Sequence, residues 1–123
     1  MNLMNEGVLI SIITPVYNGS NWIDDCFKSV LDQTYHGKFE ISVYNDGSKD
    51  NTLVLLQKWR SLLKERNVDL IINGHDDSLP RGVGYAKNQA VVNSNGVFLC
   101  FLDIDDVMDK NRLIRQFQAA QAQ

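Results

Sequence analysis

Val97-Phe-Leu-Cys-Phe-Leu102, running straight into Asp103-Ile-Asp-Asp106, is the stretch that decides the fold. Six apolar residues without polar alternation read as a short strand covered on both faces, the habit of a parallel sheet sandwiched between helices. Three carboxylates then crowd into four positions at the end of that strand.

Working back from it, Gly96 punctuates a helix from near Gly82 to Asn93 that carries Val83, Ala86, Ala90 and Val91. Before that helix, Asn73 to Arg81 (NGHDDSLPR) reads as a polar loop, with His75-Asp76-Asp77 exposed rather than metal-binding, and Val68 to Ile72 reads as a strand. Leu53, Leu56, Trp59 and Leu63 mark the buried stripe of a helix that starts at Ser48 or Asp50 and runs to about Lys64. Phe39 to Asn45 is a further strand, closed by the turn residues Asp46-Gly47. Trp22, Ile23, Cys26, Phe27, Val30 and Leu31 give a helix over about Asn21 to Gln33, with Ser20 or Asn21 as its cap. Leu9 to Thr14 is a buried strand that Pro15 breaks. Downstream, a last helix begins at about Asp109 and buries Leu113, Ile114 and Phe117.

Strands therefore alternate with helices throughout. The pattern predicts an α/β fold, a Rossmann-like three-layer α/β/α sandwich with a mainly parallel sheet in spatial order 3-2-1-4. The chain has 123 residues and a formal net charge of −3, with no basic stripe, which speaks against a nucleic-acid partner. Its two cysteines, Cys26 and Cys100, sit in apolar patterns and read as buried free thiols. No stretch approaches the roughly 20 apolar residues of a membrane span, and the first residues lack the basic and apolar regions of a signal peptide, so a cytoplasmic protein is expected. Residues 1–7 read as a tail and 8–123 as one domain. The last helix shows no stop signal, so the domain is expected to be truncated at its C-terminus.

In open α/β sheets, ligands bind outside the carboxyl ends of the strands, where the strand order reverses. The polar clusters follow those ends: Thr14-Pro-Val-Tyr-Asn18, Asn45-Asp-Gly-Ser48 and Asp103-Ile-Asp-Asp106. Clustered carboxylates resist ionising together unless a cation neutralises them, and hard oxygen ligands suit Mg²⁺ or Mn²⁺. The competing reading makes Asp105, Asp106 or Asp109 a helix cap. Asp46-Gly47-Ser48 is either a turn with a cap or a carboxylate that accepts a base N–H. Arg81 and Lys87, beside Gly82 and Gly84, could face phosphate, and Lys87 reads equally as part of a solvated helix face.

Taken in order, Ser11-Ile-Ile-Thr-Pro-Val-Tyr-Asn18, Asn45-Asp-Gly-Ser48, Gly84-Tyr-Ala-Lys-Asn88 and Phe101-Leu-Asp-Ile-Asp-Asp106 resemble the family-2 inverting glycosyltransferases, whose fold is GT-A. The resemblance spans Val8 to about Phe117 and implies the nucleotide-sugar-binding half of an enzyme that transfers a sugar from a UDP-sugar to an acceptor hydroxyl with inversion. It implies that Thr14 and Tyr17 line the uracil, the tyrosine by stacking, that Pro15 between them belongs to the donor site and that Asp46 accepts the uracil N3–H. Arg81 and Lys87 would lie near the donor. Asp103, Asp105 and Asp106 would hold Mn²⁺ or Mg²⁺, Asp103 also touching ribose. Over Pro80–Ala90 and Cys100–Asp103 the likeness puts N-acetylglucosamine forward as a candidate sugar without fixing it. The general base is expected beyond Gln123, so no catalytic residue is assigned. The acceptor, a glycan, protein or small molecule, is unspecified. The alternative is a non-catalytic fragment that binds the nucleotide sugar only. A nicotinamide dehydrogenase is disfavoured, because no glycine fingerprint follows the first strand. With order 3-2-1-4 the last strand is an exposed edge, and self-association through it is expected.

Overall fold

The computed structural model describes residues 8–122; the expected tail at 1–7 lies outside them. Four parallel strands stand in the order β3-β2-β1-β4, as the alternation predicts. They are β1 Leu9–Val16, β2 Lys38–Asp46, β3 Asp69–His75 and β4 Phe98–Phe101. The helices between and after them are α1 Ile23–Leu31, α2 Thr52–Lys64, α3 Val83–Val92 and α4 Arg112–Gln121.

The central strand β1 is buried on both faces because helices cover both. Ile10, Ile12 and Val16 join the larger core with Phe27 and Val30 of α1, Leu56 and Leu63 of α2, and Leu113 and Phe117 of α4. Ile13 faces the other way, where it meets Tyr44 of β2 and the two small residues Ala86 and Ala90 of α3. Cys26 and Cys100 are both free and buried.

Several boundaries differ from the sequence expectation, each for a local reason. Pro15 does not break β1, which continues to Val16 opposite Asn45. Leu9 and Ile13 turn their carbonyls to Val97 and Leu102 on the β4 side. Pro15 has the same parity, and β4 pairing ends at Ile13↔Phe101, so its missing N–H costs no ladder bond. Neither Ser20 nor Asn21 caps α1: its N-cap is Trp22 without a side-chain bond, and the Trp22 and Ile23 N–H groups both donate to the Gly19 carbonyl. The helix α2 starts at Thr52 rather than at Ser48 or Asp50, and α4 starts at Arg112 rather than near Asp109. Leu53 is 43% exposed because Thr52 takes the buried position beside it. The Thr52 hydroxyl accepts the Gly19 N–H at 2.9 Å, a bond that leucine could not make.

β3 runs three residues further than its apolar part, so Asn73, Gly74 and His75 are strand rather than loop. They pair with Tyr44, Asn45 and Asp46. β3 is an edge strand, where polar residues are tolerated. Gly74 fits because β2 passes close by: a Cβ there would lie 2.4 Å from the Asn45 carbonyl oxygen. Gly74→Ala is therefore expected to destabilise the domain by about 1–3 kcal/mol, read as a lower urea midpoint with an unchanged slope.

β4 is shorter than expected and covered on one face only. Cys100 is buried, whereas Leu99 and Phe101 are 40% and 43% exposed, because α3 packs on β1 and β2. The backbone groups of Leu99 and Phe101 point to the open edge. There the Arg112 guanidinium donates to the Phe101 carbonyl, a charged guard on an unpaired strand.

Candidate functional site

The carboxyl ends of β1 and β2 and the start of α3 open on a cleft of about 340 Å³. Pro15, Val16 and Tyr17 form one wall and Pro80, Gly82, Val83 and Ala86 the other, with Asp46 also lining it. Tyr17 is half exposed, whereas Asp46 is 2% exposed.

A buried carboxylate needs compensating donors. Asp46 receives two from the backbone: Arg81 N–H at 2.9 Å on Oδ1 and Gly82 N–H at 2.9 Å on Oδ2. Gly82 sits at φ 108, a conformation that side chains resist, and a Cβ there would meet nothing; its glycine serves conformation rather than space. Asp46 thus fastens the segment that leads into α3, and it retains further lone pairs, since a carboxylate has about four.

His75, expected in an exposed loop, instead stands at the end of β3 with its side chain 9% exposed. Its Nε2 lies 3.2 Å from the Leu79 carbonyl and 3.7 Å from Asp46 Oδ1, and its Nδ1 lies 2.9 Å from the Tyr44 hydroxyl. Burial, together with the neighbouring Tyr85, holds the Tyr44 hydroxyl above the ordinary tyrosine range, so it keeps its proton. Sequence reasoning missed His75. The available signal was Gly74, an isolated glycine that marks close backbone approach when a strand passes through it.

The Tyr17 wall is secured by bonds between the loops after β1 and β2. Ser48 Oγ accepts the Asn18 N–H at 2.8 Å, and Asn18 Oδ1 accepts the Lys49 N–H at 2.8 Å. Asp50 accepts the Ser20 N–H at 3.2 Å and the Thr52 N–H at 3.0 Å. Burial pushes the Asp50 carboxyl up, but the bonds from Thr52 and Ser20 outweigh it and leave it below the usual range. A depressed carboxylate contributes stability that is present above its unfolded value, near 3.9, and is lost as pH falls through the folded value. Asp50→Asn is expected to lower the urea midpoint at pH 7 and to flatten its fall between about pH 5 and pH 3.

The acidic turn follows β4. The Asp106 N–H donates to the Asp103 carbonyl at 3.0 Å, and this turn brings carboxylate oxygens of Asp103, Asp105 and Asp106 within 4.8 Å of one another, all exposed. Ile104 and Met108 anchor it in the core. It also abuts the β1 loop, since a Cβ on Gly19 would lie 3.2 Å from Ile104. Beneath it, the Cys26 thiol is pushed up to about 12 by burial and then by Asp106, Asp105 and Asp103, so it is protonated and unreactive at neutral pH.

Of the residues expected at the donor, Pro15, Tyr17 and Asp46 line the cleft. Thr14 does not: it is fully buried, with its hydroxyl unpartnered. The Arg81 guanidinium bonds the Tyr85 hydroxyl at 2.8 Å, and the Lys87 ammonium rests 5.5 Å over the Phe101 ring.

A model of one family, described as glycosyl transferase family 2, matches residues 11–123. The chain belongs to glycosyl transferase family 2. It is 34% identical over 116 residues to the putative teichuronic acid biosynthesis glycosyltransferase TuaG of Bacillus subtilis, covering 94% of this chain and 43% of that protein. It is 34% identical over 111 residues to the Escherichia coli protein WfgD, a UDP-Glc:α-D-GlcNAc-diphosphoundecaprenol β-1,3-glucosyltransferase, covering 90% of this chain and 40% of WfgD. Among solved structures, S. aureus TarS 1–349 in complex with UDP-GlcNAc superposes with a TM-score of 0.80 at 26% identity, over 92% of this chain and 31% of that one. This family-2 chain thus spans less than half the length of these relatives, and its fold is the GT-A type. Among the described residues no helix is long and apolar enough to cross a membrane.

Proposed function

We propose that this family-2 chain binds the nucleotide sugar for an inverting transfer to an acceptor hydroxyl, with UDP as the nucleotide and N-acetylglucosamine as a candidate sugar. The observation that carries the reading is Asp46, a buried carboxylate that lines the same cleft as Tyr17. Tyr17 offers a stacking face and Asp46 a charged acceptor for one base N–H, while Pro15 completes the Tyr17 wall. TarS in complex with UDP-GlcNAc and WfgD, a UDP-Glc glucosyltransferase, support a uridine donor.

Asp103, Asp105 and Asp106 suit a hard divalent ion. Their oxygens are mutually within 4.8 Å, and among the described residues no lysine, arginine or histidine pairs with them. Mn²⁺ or Mg²⁺ held there would supply Lewis-acid stabilisation of the diphosphate leaving group. In this scheme the chain's own residues hold and orient the donor. Arg81, just before α3, and Lys87, in its second turn, add positive charge on the donor's approach, and the carboxylate that activates the acceptor comes from outside the described residues.

Titration calorimetry tests the reading. UDP with Mn²⁺ is expected to bind at least about tenfold more tightly than ADP or GDP, since one charge-assisted bond to the base contributes about 1.5–3 kcal/mol. Chelation by EDTA is expected to weaken UDP. Equal affinities for UDP and ADP overturn the base assignment, and an unchanged affinity in EDTA overturns the metal.

A further inference from the structure

We propose that His75 is a positioning residue for nucleotide binding: beside Asp46 it ties the Leu79 carbonyl to the Tyr44 hydroxyl, and so holds the segment 76–82 as a preformed wall of the cleft. The inference rests on the nucleotide reading of that cleft.

The hydrogen-bond roles follow from the partners. The Leu79 carbonyl can only accept, so Nε2 carries the ring proton and donates to it. In the neutral ring Nδ1 is then the acceptor, and the Tyr44 hydroxyl, 2.9 Å away, donates. Each contact leads to the cleft. Asp46 lines it, Leu79 immediately precedes the lining residue Pro80, and Tyr44 packs edge-on against Tyr85 of α3, the ring that holds Arg81. The segment 76–82 has no regular structure of its own before α3. Its anchors are the two N–H bonds to Asp46, the carbonyl bond from His75 and, at the far end, the Asp76 carbonyl bonded by Lys49 at 3.3 Å. A ring that served only the core would have partners buried away from the site. Here the Nε2 that fixes Leu79 lies 3.7 Å from the Asp46 carboxylate, whose lone pairs the base would use.

Side-chain shape separates the two bonds. A glutamine amide nitrogen reaches about where Nε2 lies, so His75→Gln keeps the donation to Leu79. An asparagine reaches only to Nδ1, so His75→Asn loses it. The experiment measures UDP and inorganic pyrophosphate affinities with Mn²⁺, and amide hydrogen exchange, for the wild type and the Ala, Asn and Gln variants. His75→Ala and His75→Asn are expected to weaken UDP roughly tenfold, to leave pyrophosphate unchanged and to speed exchange at the Arg81 and Gly82 amides. His75→Gln is expected to stay within about threefold of wild type. Added to Asp46→Asn, His75→Ala is expected to cost little more, because both act by holding the one segment that leads into α3. Unchanged exchange at Arg81 and Gly82 in His75→Ala overturns the positioning role, as does a parallel loss of pyrophosphate affinity or a glutamine variant as weak as alanine. A wild type that binds no UDP overturns the nucleotide reading and the proposal with it, and the exchange data then show whether the segment was nevertheless held by His75.

Discussion

Asp105→Asn is expected to abolish the metal dependence of UDP-sugar binding while leaving the fold intact. The three carboxylates of the acidic turn are exposed and reach one another within 4.8 Å, so a neutral amide in the middle would remove a proposed ligand and part of the attracting charge together. Even partners one shell outside a metal typically cost about 10–100-fold in affinity when changed, so loss of a direct ligand is expected to reach at least about a hundredfold for Mn²⁺. The anchors of the turn, Ile104 and Met108, are untouched, and removing one of three mutually repelling charges relieves the free turn. The urea midpoint should therefore stay level or rise slightly. Calorimetry with and without EDTA reads the first effect. A variant that still loses donor affinity on chelation would place the ion elsewhere.

Asp46→Asn is expected to damage both stability and nucleotide binding. The two carboxylate oxygens serve different donors, Oδ1 the Arg81 N–H and Oδ2 the Gly82 N–H. An amide keeps one acceptor and turns an NH₂ group toward the other N–H, so one charge-assisted bond is lost and a buried donor is left unpaired. A loss of this kind costs about 1.5–3 kcal/mol, a large part of the roughly 5–15 kcal/mol that holds a domain together. The urea midpoint should fall accordingly, and UDP affinity should fall by roughly tenfold or more, since the base loses a charged acceptor and the opposite wall loses an anchor. A variant of wild-type stability would mean that the segment 76–82 is held by other contacts.

The sequence carried the strand order and the helix faces because both are written in apolar spacing. Leu9 to Thr14, the Leu56–Trp59–Leu63 stripe and the alanines of α3 each appear where their periodicity places them. The acidic turn was legible for the same reason: three carboxylates behind an apolar run are a local pattern. What escaped was set by neighbours distant in the chain. Nothing near Asn73-Gly-His75 says that β2 continues to Asp46 and so draws β3 along beside it. The apolar run at 97–102 predicted cover on both faces, but the cover depends on where α3 lies. Thr14 shares a motif with Pro15 and Tyr17, yet strand alternation turns its side chain into the core.

The register of the sheet also dictates an order of assembly. β1 pairs with β2 across a single helical crossover, and β2 with β3 likewise, but the other neighbour of β1 is the last strand in the chain, with Ile10 opposite Phe98 and Ile13 opposite Phe101. Contacts that join distant parts of a chain form late, because the loop-closure entropy is spent before they return anything. A three-stranded β3-β2-β1 intermediate should therefore precede the native state, with the Ile-rich β1 open along one side until Phe98–Phe101 zips against it. That interval is when neighbouring chains compete for the same backbone groups. Refolding yield should fall with protein concentration even though the finished edge is guarded by Arg112.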